Sequence, residues 1–513
     1  MVQLSFEPEP FSLESVIGPS TSGFQSQSWV PVLQLLGCEF KTEEHFGAAM
    51  LNLILHPNIN SSSIMRADIL YDSGSENKLD LEDYEAYKAK EQIVFSELTG
   101  LNILKASSCR EKRRIVRDII PRNPDKDLSM RQTCMMYEDK SNESEMVLYL
   151  PHGISQASDT PYYHPAVAGV LITYGPKIDK PSGGENSLRA LRLYYRLFPS
   201  DVGKVSNRLT RTGLRLLTTA HRHSLGVMNG YKKRVQHDVV VDKLQFQDRY
   251  IELKRKYARN LVSRWVESTD PKKHVFEDLS IAAFLMLLWE FRLTTHTGDK
   301  PKFVDIGCGN GVLVYVLIME GYEGYGIDAR RRKTWDIFPE HVQECLHDQV
   351  LIPDLAKSGV DYNGSIKVHN GIFDKDVFLI GNHSDELTPW IPLFDRPFIV
   401  IPCCSHAFSG AKHRYPTAMK HDRGSKLGEQ QTLSTYGALV EHVARTSHDV
   451  GWVVEREMLR IPSTRNAAII GIDRRKEGDD RLWTAKEIVD REGGAGGFYE
   501  RVSALTAKNP RSH

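Results

Sequence analysis

The hydrophobic positions of this chain repeat in two ways, as short apolar runs and as apolar residues three or four apart. Met146-Val-Leu-Tyr-Leu150 is a run of strand length, and Pro165–Tyr174 is apolar enough to return to a core. They are set off by a polar interruption at Lys140–Glu145 and a loop at Pro151–Tyr163, while Pro19–Ser28 is poor in apolar groups and is expected to be a flexible loop. Ser187–Leu197 carries apolar residues at helical spacing with arginines among them, which predicts a helix, and the bias continues through Gly203–His237. Tyr250, Leu253, Tyr257, Leu261 and Trp265 form a second helical stripe. After Ser268-Thr-Asp-Pro271, a helix start with proline just inside it, Lys272–Trp289 reads as a largely buried helix.

From residue 300 onward strands and helices alternate. Phe303–Ile306 is a short buried strand, Gly307–Gly311 a glycine turn, and Val312–Glu320 a helix closed by Gly321. Gly324–Asp328, Ser365–His369, Val377–Gly381 and Pro397–Ile401 follow as strands two to five, and Val450–Val454 with Ala467–Ile472 complete the sheet. This order predicts an α/β fold, a Rossmann-like sheet with helices on both faces, behind a mixed N-terminal accessory region. The expected divisions are an accessory region at 1–150, a basic RNA-binding region at 151–245, the Rossmann-like domain at 246–485 and a tail at 486–513.

The glycine turn carries the sharpest chemistry. A strand feeding a glycine turn and then a helix N-terminus lets backbone N–H groups face a ligand, and a carboxylate about twenty residues later, Asp328, can bind a ribose diol. A dinucleotide fingerprint has the spacing G-x-G-x-x-G; here the glycines fall at 307, 309 and 311, with Val312 where the third would stand. The negative charge of Asp305 at the strand end suits the positively charged amino acid moiety of S-adenosylmethionine better than a pyrophosphate. Asp305, Gly307, Gly309, Asn310, Gly311 and Asp328 resemble the first two motifs of class I methyltransferases. Asp374, after the third strand, is the candidate adenine contact.

Composition limits the rest. Sixty-six lysines and arginines balance 66 aspartates and glutamates, so a polyanion must be held by a local patch. Gly203–His237 offers one: Lys204, Arg208, Arg211, Arg215, Arg222, Lys232, Lys233 and Arg234 stand together with no carboxylate between them. No apolar run is long enough to cross a bilayer, and the N-terminus lacks the order of a secretory signal. Seven scattered cysteines without C-x-x-C spacing argue against disulfides and a zinc ribbon, so a cytoplasmic protein without a metal is expected.

Gly230–Asp238, Trp265–Asp278, Phe303–Asp336, Gly381–Trp390 and Arg456–Asn466 resemble the tRNA (uracil-2′-O)-methyltransferase family that modifies uridine 44 of eukaryotic serine tRNAs, over about half of the chain from Pro151 onward. The resemblance implies S-adenosylmethionine as donor, tRNA as partner and a ribose oxygen as acceptor. A ribose hydroxyl needs help to lose its proton. Other 2′-O-methyltransferases use a Lys-Asp-Lys-Glu set, and by strand order Lys273, Asp385, Lys412 and Glu455 occupy comparable places. His383 and His406 are alternative bases, Cys403-Cys404 is expected to pack under the acceptor pocket, and Arg465 is a candidate phosphate contact. The rival readings are a methyltransferase acting on an RNA base or a protein, and a catalytically silent RNA-binding subunit.

Overall fold

The computed structural model describes residues 8–12, 29–38, 40, 42–75, 84–101, 103, 108–141, 143–176, 189–201, 205–231, 237–294, 299–356, 367–382, 384–417, 433–476 and 482–504. The expected loop at 19–28 lies outside them, as do Lys204, Lys232, Lys233, Arg234 and His383. The chain divides into two units, Met1–Lys232 and Lys233–His513.

The first unit is built on one antiparallel sheet of seven strands: β1 (Trp29–Leu36), β2 (Ile64–Asp72), β3 (Cys109–Pro121), β4 (Met130–Asp139), β5 (Ser144–Pro151), β6 (Gly169–Pro176) and β7 (Arg189–Arg196), in the order β1-β7-β6-β5-β4-β3-β2. Side chains alternate across a strand, and here both faces are covered. Cys134, Met136, Val147, Tyr149, Ile172 and Leu193 pack with helices α1 (Gly47–Leu55) and α3 (Asn207–Met228). Met135, Met146, Leu148, Leu171 and Tyr194 pack with Val94 and Leu98 of α2 (Tyr84–Gly100).

Two expectations are corrected by this sheet. The boundary at 150/151 does not divide the structure, because β5 and β6 pair directly, Tyr149 opposite Val170. The segment 187–197 is not a helix: 189–196 is strand β7, paired with β1 and β6. Burial on both faces makes its apolar residues nearly continuous, which erases the period-two signal and leaves a chance helical spacing. The following basic segment is a helix as read. In α3, Ser206 caps the first turn by accepting from Leu209 N, and Leu209, Gly213, Leu217 and Ala220 are buried while Arg208, Arg211, Arg215 and Arg222 are exposed.

In the second unit, α4 (Lys243–Leu253) runs through a π-helical turn into Arg259–Ser263 and is followed by α5 (Pro271–Arg292). Asp270 accepts from Lys272 N and Pro271 opens α5, so the sequence signal and the cap coincide. The sheet comprises β8 (Lys302–Ile306), β9 (Gly324–Asp328), β10 (Leu346–Asp348), β13 (Val377–Asn382), β14 (Phe398–Ile401), β15 (Trp452–Met458) and β16 (Ala467–Arg474), in the order β10-β9-β8-β13-β14-β16-β15. The first five are parallel and β16 is antiparallel to both neighbours. The strand order reverses at β8 and β13, the switch point at which doubly wound sheets bind ligands. Phe303, Phe378, Ile380 and Ile399 pack with α5 and α6 (Val312–Met319), whereas Val304, Ile306, Leu379 and Val400 pack with α7 (Thr435–Asp449), so helices cover both faces.

The expected third strand is displaced. β12 (Val368–His369) pairs only with β11 (Val350–Leu351), and the main sheet takes Leu346-His-Asp348 instead, a segment with one apolar residue and hence no pattern to read. Nor is the segment 485–503 a loose tail. α8 (Ala485–Arg491) and α9 (Phe498–Ser503) bury Ile488, Val489, Phe498 and Val502 against Trp390 and Phe408. At the other end of the unit, Glu457 is buried and accepts from the backbone N–H of Asp238, Val239 and Val240 at 2.7–3.0 Å. The unit therefore begins ahead of the expected 246. Among the described residues no helix is long and apolar enough to cross a membrane.

Candidate functional site

The glycine turn sits at the carboxyl end of β8, where the sequence placed it. Gly307, Gly309 and Gly311 all have positive φ (80°, 50° and 76°), a region costly for residues with a Cβ. A side chain at Gly307 would also press on the Ser384 backbone, its Cβ 3.3 Å from Cα. Asn310 Oδ1 accepts from Val312 N at 2.8 Å and closes the turn into α6. Trp335, fully buried, donates from its indole nitrogen to Gly309 O at 2.9 Å and holds the turn from outside.

Three acids surround this turn. Asp305 is 2% exposed and its Oδ1 has no hydrogen-bond partner. Burial, and behind it the carboxylates of Asp278 and Asp328, hold Asp305 well above the ordinary carboxylate range. Asp278 lies on α5 and accepts from Asn382 Nδ2 at 3.3 Å. Asp328, at the end of β9, accepts from Gly309 N and Arg330 N, both at 3.0 Å. Burial raises it, while Arg332 and those two N–H groups act against the shift. An orphaned carboxylate oxygen beside two further acids is a site short of one cation. An ammonium such as S-adenosylmethionine carries suits this excess of carboxylates, so the chemistry of the residues present fits this donor.

One cleft of about 530 Å³ connects the turn to the acceptor side, a volume in the range of small-molecule sites. Lys273, Gly307, Gly309, Asn310, Asp328, Asp385, Cys403 and Arg465 line it. Asp385 follows β13 in a left-handed conformation (φ 41°), uncommon for a residue with a side chain, although aspartate adopts it more readily than most. Cys403 Sγ donates to Asp385 Oδ1 at 3.3 Å, and Cys404 lines the cleft beside it. The paired cysteines thus face the acceptor end. With Asp385 they place three ligand-type atoms within 4.8 Å of one another, an arrangement sequence reasoning did not foresee.

The four-residue catalytic set does not assemble. Lys273 and Asp385 line the cleft; Lys412 is exposed, bridged through its backbone to His406, and is absent from the lining. Glu455 pairs with Arg292 at 2.9 Å. Arg292 ends the helix whose first turn carries Lys273, about 28 Å away at 1.5 Å per residue. Strand order alone misplaced Glu455, since its side chain leaves β15 toward the far end of α5. His406 is buried with an unpartnered Nδ1, and burial lowers its pKa, but it too lies off the lining.

Asp374 is also misplaced as an adenine contact. It is exposed, its carbonyl accepts from Arg396 at 2.7 Å, and Asp376 two residues on pairs with Lys302 at the start of β8. That is the amino edge of the sheet, about 13 Å of strand from the glycine turn. Sequence reading missed Asp278, Ser384, Arg330 and Arg332, all on the lining. A signal for Asp278 existed, a carboxylate just ahead of the unbroken apolar run of α5.

Of the proposed substrate contacts, Arg465 lines the cleft, its guanidinium 4.6 Å from the Tyr436 ring centroid. Arg208 stacks at 4.7 Å on Tyr162, and Arg211 and Arg215 lie further along the same face of α3.

Comparison with known proteins adds two family matches. Residues 8–234 match a family described as "TRM44-like, N-terminal bet v1-like domain", and residues 240–353 match "Predicted AdoMet-dependent methyltransferase". Three similar proteins, from Eremothecium gossypii, Saccharomyces cerevisiae and Schizosaccharomyces pombe, are each named tRNA (uracil-O(2)-)-methyltransferase. They are 42%, 40% and 38% identical over 95%, 98% and 99% of this chain, and over 97%, 95% and 96% of their own lengths.

Proposed function

Since the chain belongs to the tRNA (uracil-O(2)-)-methyltransferase family, we propose that its cleft methylates the 2′-hydroxyl of a uridine ribose, at position 44 of serine tRNA. The enzyme is a class I, S-adenosylmethionine-dependent tRNA methyltransferase. The observation that carries the finer reading is the continuity of one cleft from Asp278 and Asp328 to Lys273, Asp385 and Arg465. Methylation of an RNA base or of a protein, and a silent RNA-binding role, lose their footing beside relatives that share nearly the whole chain.

When bound, the donor supplies an electrophilic sulfonium methyl group. Asp278 on the cleft wall, with the buried Asp305 beside it, accepts the ammonium of the donor; Asp328 accepts its ribose hydroxyls; Gly307 and Gly309 leave room for it. Transfer of this kind is accelerated chiefly by holding acceptor oxygen and methyl carbon in line. Lys273 and Arg465 supply positive charge for the RNA backbone at the acceptor end. Asp385 takes the proton of the 2′-hydroxyl as the new C–O bond forms. The remaining set proposed from sequence, Lys412 and Glu455, has no part in this reading, and neither has Asp374. Arg208, Arg211 and Arg215 hold tRNA phosphates, which compensates for a chain of zero net charge. Seven free thiols and the absence of a bilayer-length helix among the described residues support a cytoplasmic site of action.

Incubation of purified enzyme with S-adenosylmethionine and an unmodified serine tRNA transcript tests the reading, with nucleosides analysed by mass spectrometry. 2′-O-methyluridine at position 44 is expected. A base-methylated nucleoside, or a ribose methyl at another position, would contradict it.

A further inference from the structure

The N-terminal unit contains a buried charge with no carboxylate paired to it among the described residues. Arg117, on β3, is 3% exposed and forms no ion pair with a carboxylate among the described residues. Its Nε and Nη2 donate to Gln132 Oε1 at 3.2 and 2.6 Å, and Nη1 donates to the carbonyl of Ile54 in the last turn of α1. The Gln132 amide in turn meets His164 Nε2 at 3.0 Å, and His164 Nδ1 meets Pro165 O at 2.7 Å. With Nδ1 donating, Nε2 is the acceptor and the imidazole is neutral, in line with a pKa that burial lowers to about 4. Every partner of Arg117 is therefore uncharged. The C-terminal end of α1 offsets at most part of a unit charge, and a buried ion without a counter-ion is costly.

The guanidinium lines a cavity of about 60 Å³ between the sheet and helices α1 and α3. Most other walls are apolar, with Leu53, Ile64, Val170 and Leu216 among them. Tyr149 and Asn60 are among the polar residues on the lining. Tyr149 lies under the guanidinium, its ring centroid 5.7 Å from Cζ. Asn60 Oδ1 is buried without a partner, and a half-turn of that amide presents Nδ2 in its place. Two of the five guanidinium N–H groups remain uncommitted.

We propose that this cavity binds a short-chain organic carboxylate, its anionic head on Arg117 and its alkyl tail against Leu53, Ile64 and Val170. Water could satisfy the spare donors but would leave the charge unbalanced. A carboxylate supplies the charge and matches the fork of the guanidinium. The volume admits a few non-hydrogen atoms and excludes a long acyl chain, since one water already needs roughly 10–15 Å³. A dianion such as phosphate would find too few donors and too much hydrocarbon.

Thermal unfolding of the full chain at constant ionic strength tests this, with butyrate as probe and butyramide as its neutral counterpart. Butyrate is expected to raise the melting temperature saturably, as any ligand of the native state does, and to bind roughly tenfold or more tightly than butyramide. Leu53→Phe, which fills the cavity without touching a charge, and Arg117→Met should each reduce the affinity by at least that factor. Leu53→Phe decides the matter if Arg117→Met does not fold. An undiminished butyrate response in Leu53→Phe would overturn the assignment, and so would an equal response to chloride or phosphate, or none to butyrate.

Discussion

Glu455 is paired with Arg292 at 2.9 Å, at the end of α5 opposite to Lys273. The pair is a partly exposed tie between a sheet edge and a helix end, and it separates two residues that strand order would have joined. Glu455→Gln should leave turnover unchanged and cost about 0.5 kcal/mol of stability, as such pairs do. Asp385→Asn should lower kcat about 100-fold or more, as loss of a general base does, whereas Lys273→Ala should chiefly raise the KM for tRNA. Parallel single-turnover assays and melting curves of the three variants separate the two kinds of effect.

The raised pKa of Asp305 gives donor binding a pH dependence of definite sign. An ammonium is held by the ionised carboxylate, so binding must expel the proton that burial retains, and affinity falls as pH drops. Calorimetry in two buffers of different ionisation enthalpy should detect proton release, absent in Asp305→Asn. The unliganded protein behaves in the opposite way. Its folded state keeps a proton that the unfolded chain loses near the ordinary carboxylate pKa, so this group costs stability as pH rises above that value. Asp305→Asn should therefore raise the melting temperature more at pH 8 than at pH 5.

Trp335 acts on the donor through the glycine turn it supports. Trp335→Phe removes the bond to Gly309 O while keeping most of the buried volume. A net hydrogen bond of about 1 kcal/mol predicts a donor Kd weakened roughly fivefold, with kcat at saturating donor little altered. A titration followed by saturation kinetics reads both.

The chemistry at the glycine turn was legible because each requirement there is local: positive φ selects glycine, a helix start selects Asn310 and Val312, and a ribose selects an acid at the end of the next strand. The helix from Pro271 was legible for the same reason, through its cap. What failed depended on direction. Asp374 follows a strand that is not in the main sheet and lies at that sheet's amino edge, and Glu455 stands on its expected strand but points along α5 away from the cleft. No periodicity records which way a side chain leaves a strand relative to a distant site. The strand β7 failed because burial on both faces removes alternation, and β10 because three residues carry no pattern at all.

The arginines of α3 should affect tRNA and leave the donor alone. Arg211→Ala and Arg215→Ala should raise the KM for tRNA with kcat unchanged, and each should reduce the slope of log K against log salt by about one. An unchanged slope in both would remove α3 from the RNA surface.

Direct titration of the purified enzyme with S-adenosylmethionine and its demethylated product, beside a nicotinamide dinucleotide, is the closest test of the cleft. One site is expected for each sulfur nucleoside, lost in a variant lacking the Asp328 carboxylate, with no binding of the dinucleotide. Tight binding of the dinucleotide with neither sulfur nucleoside taken up would contradict that expectation.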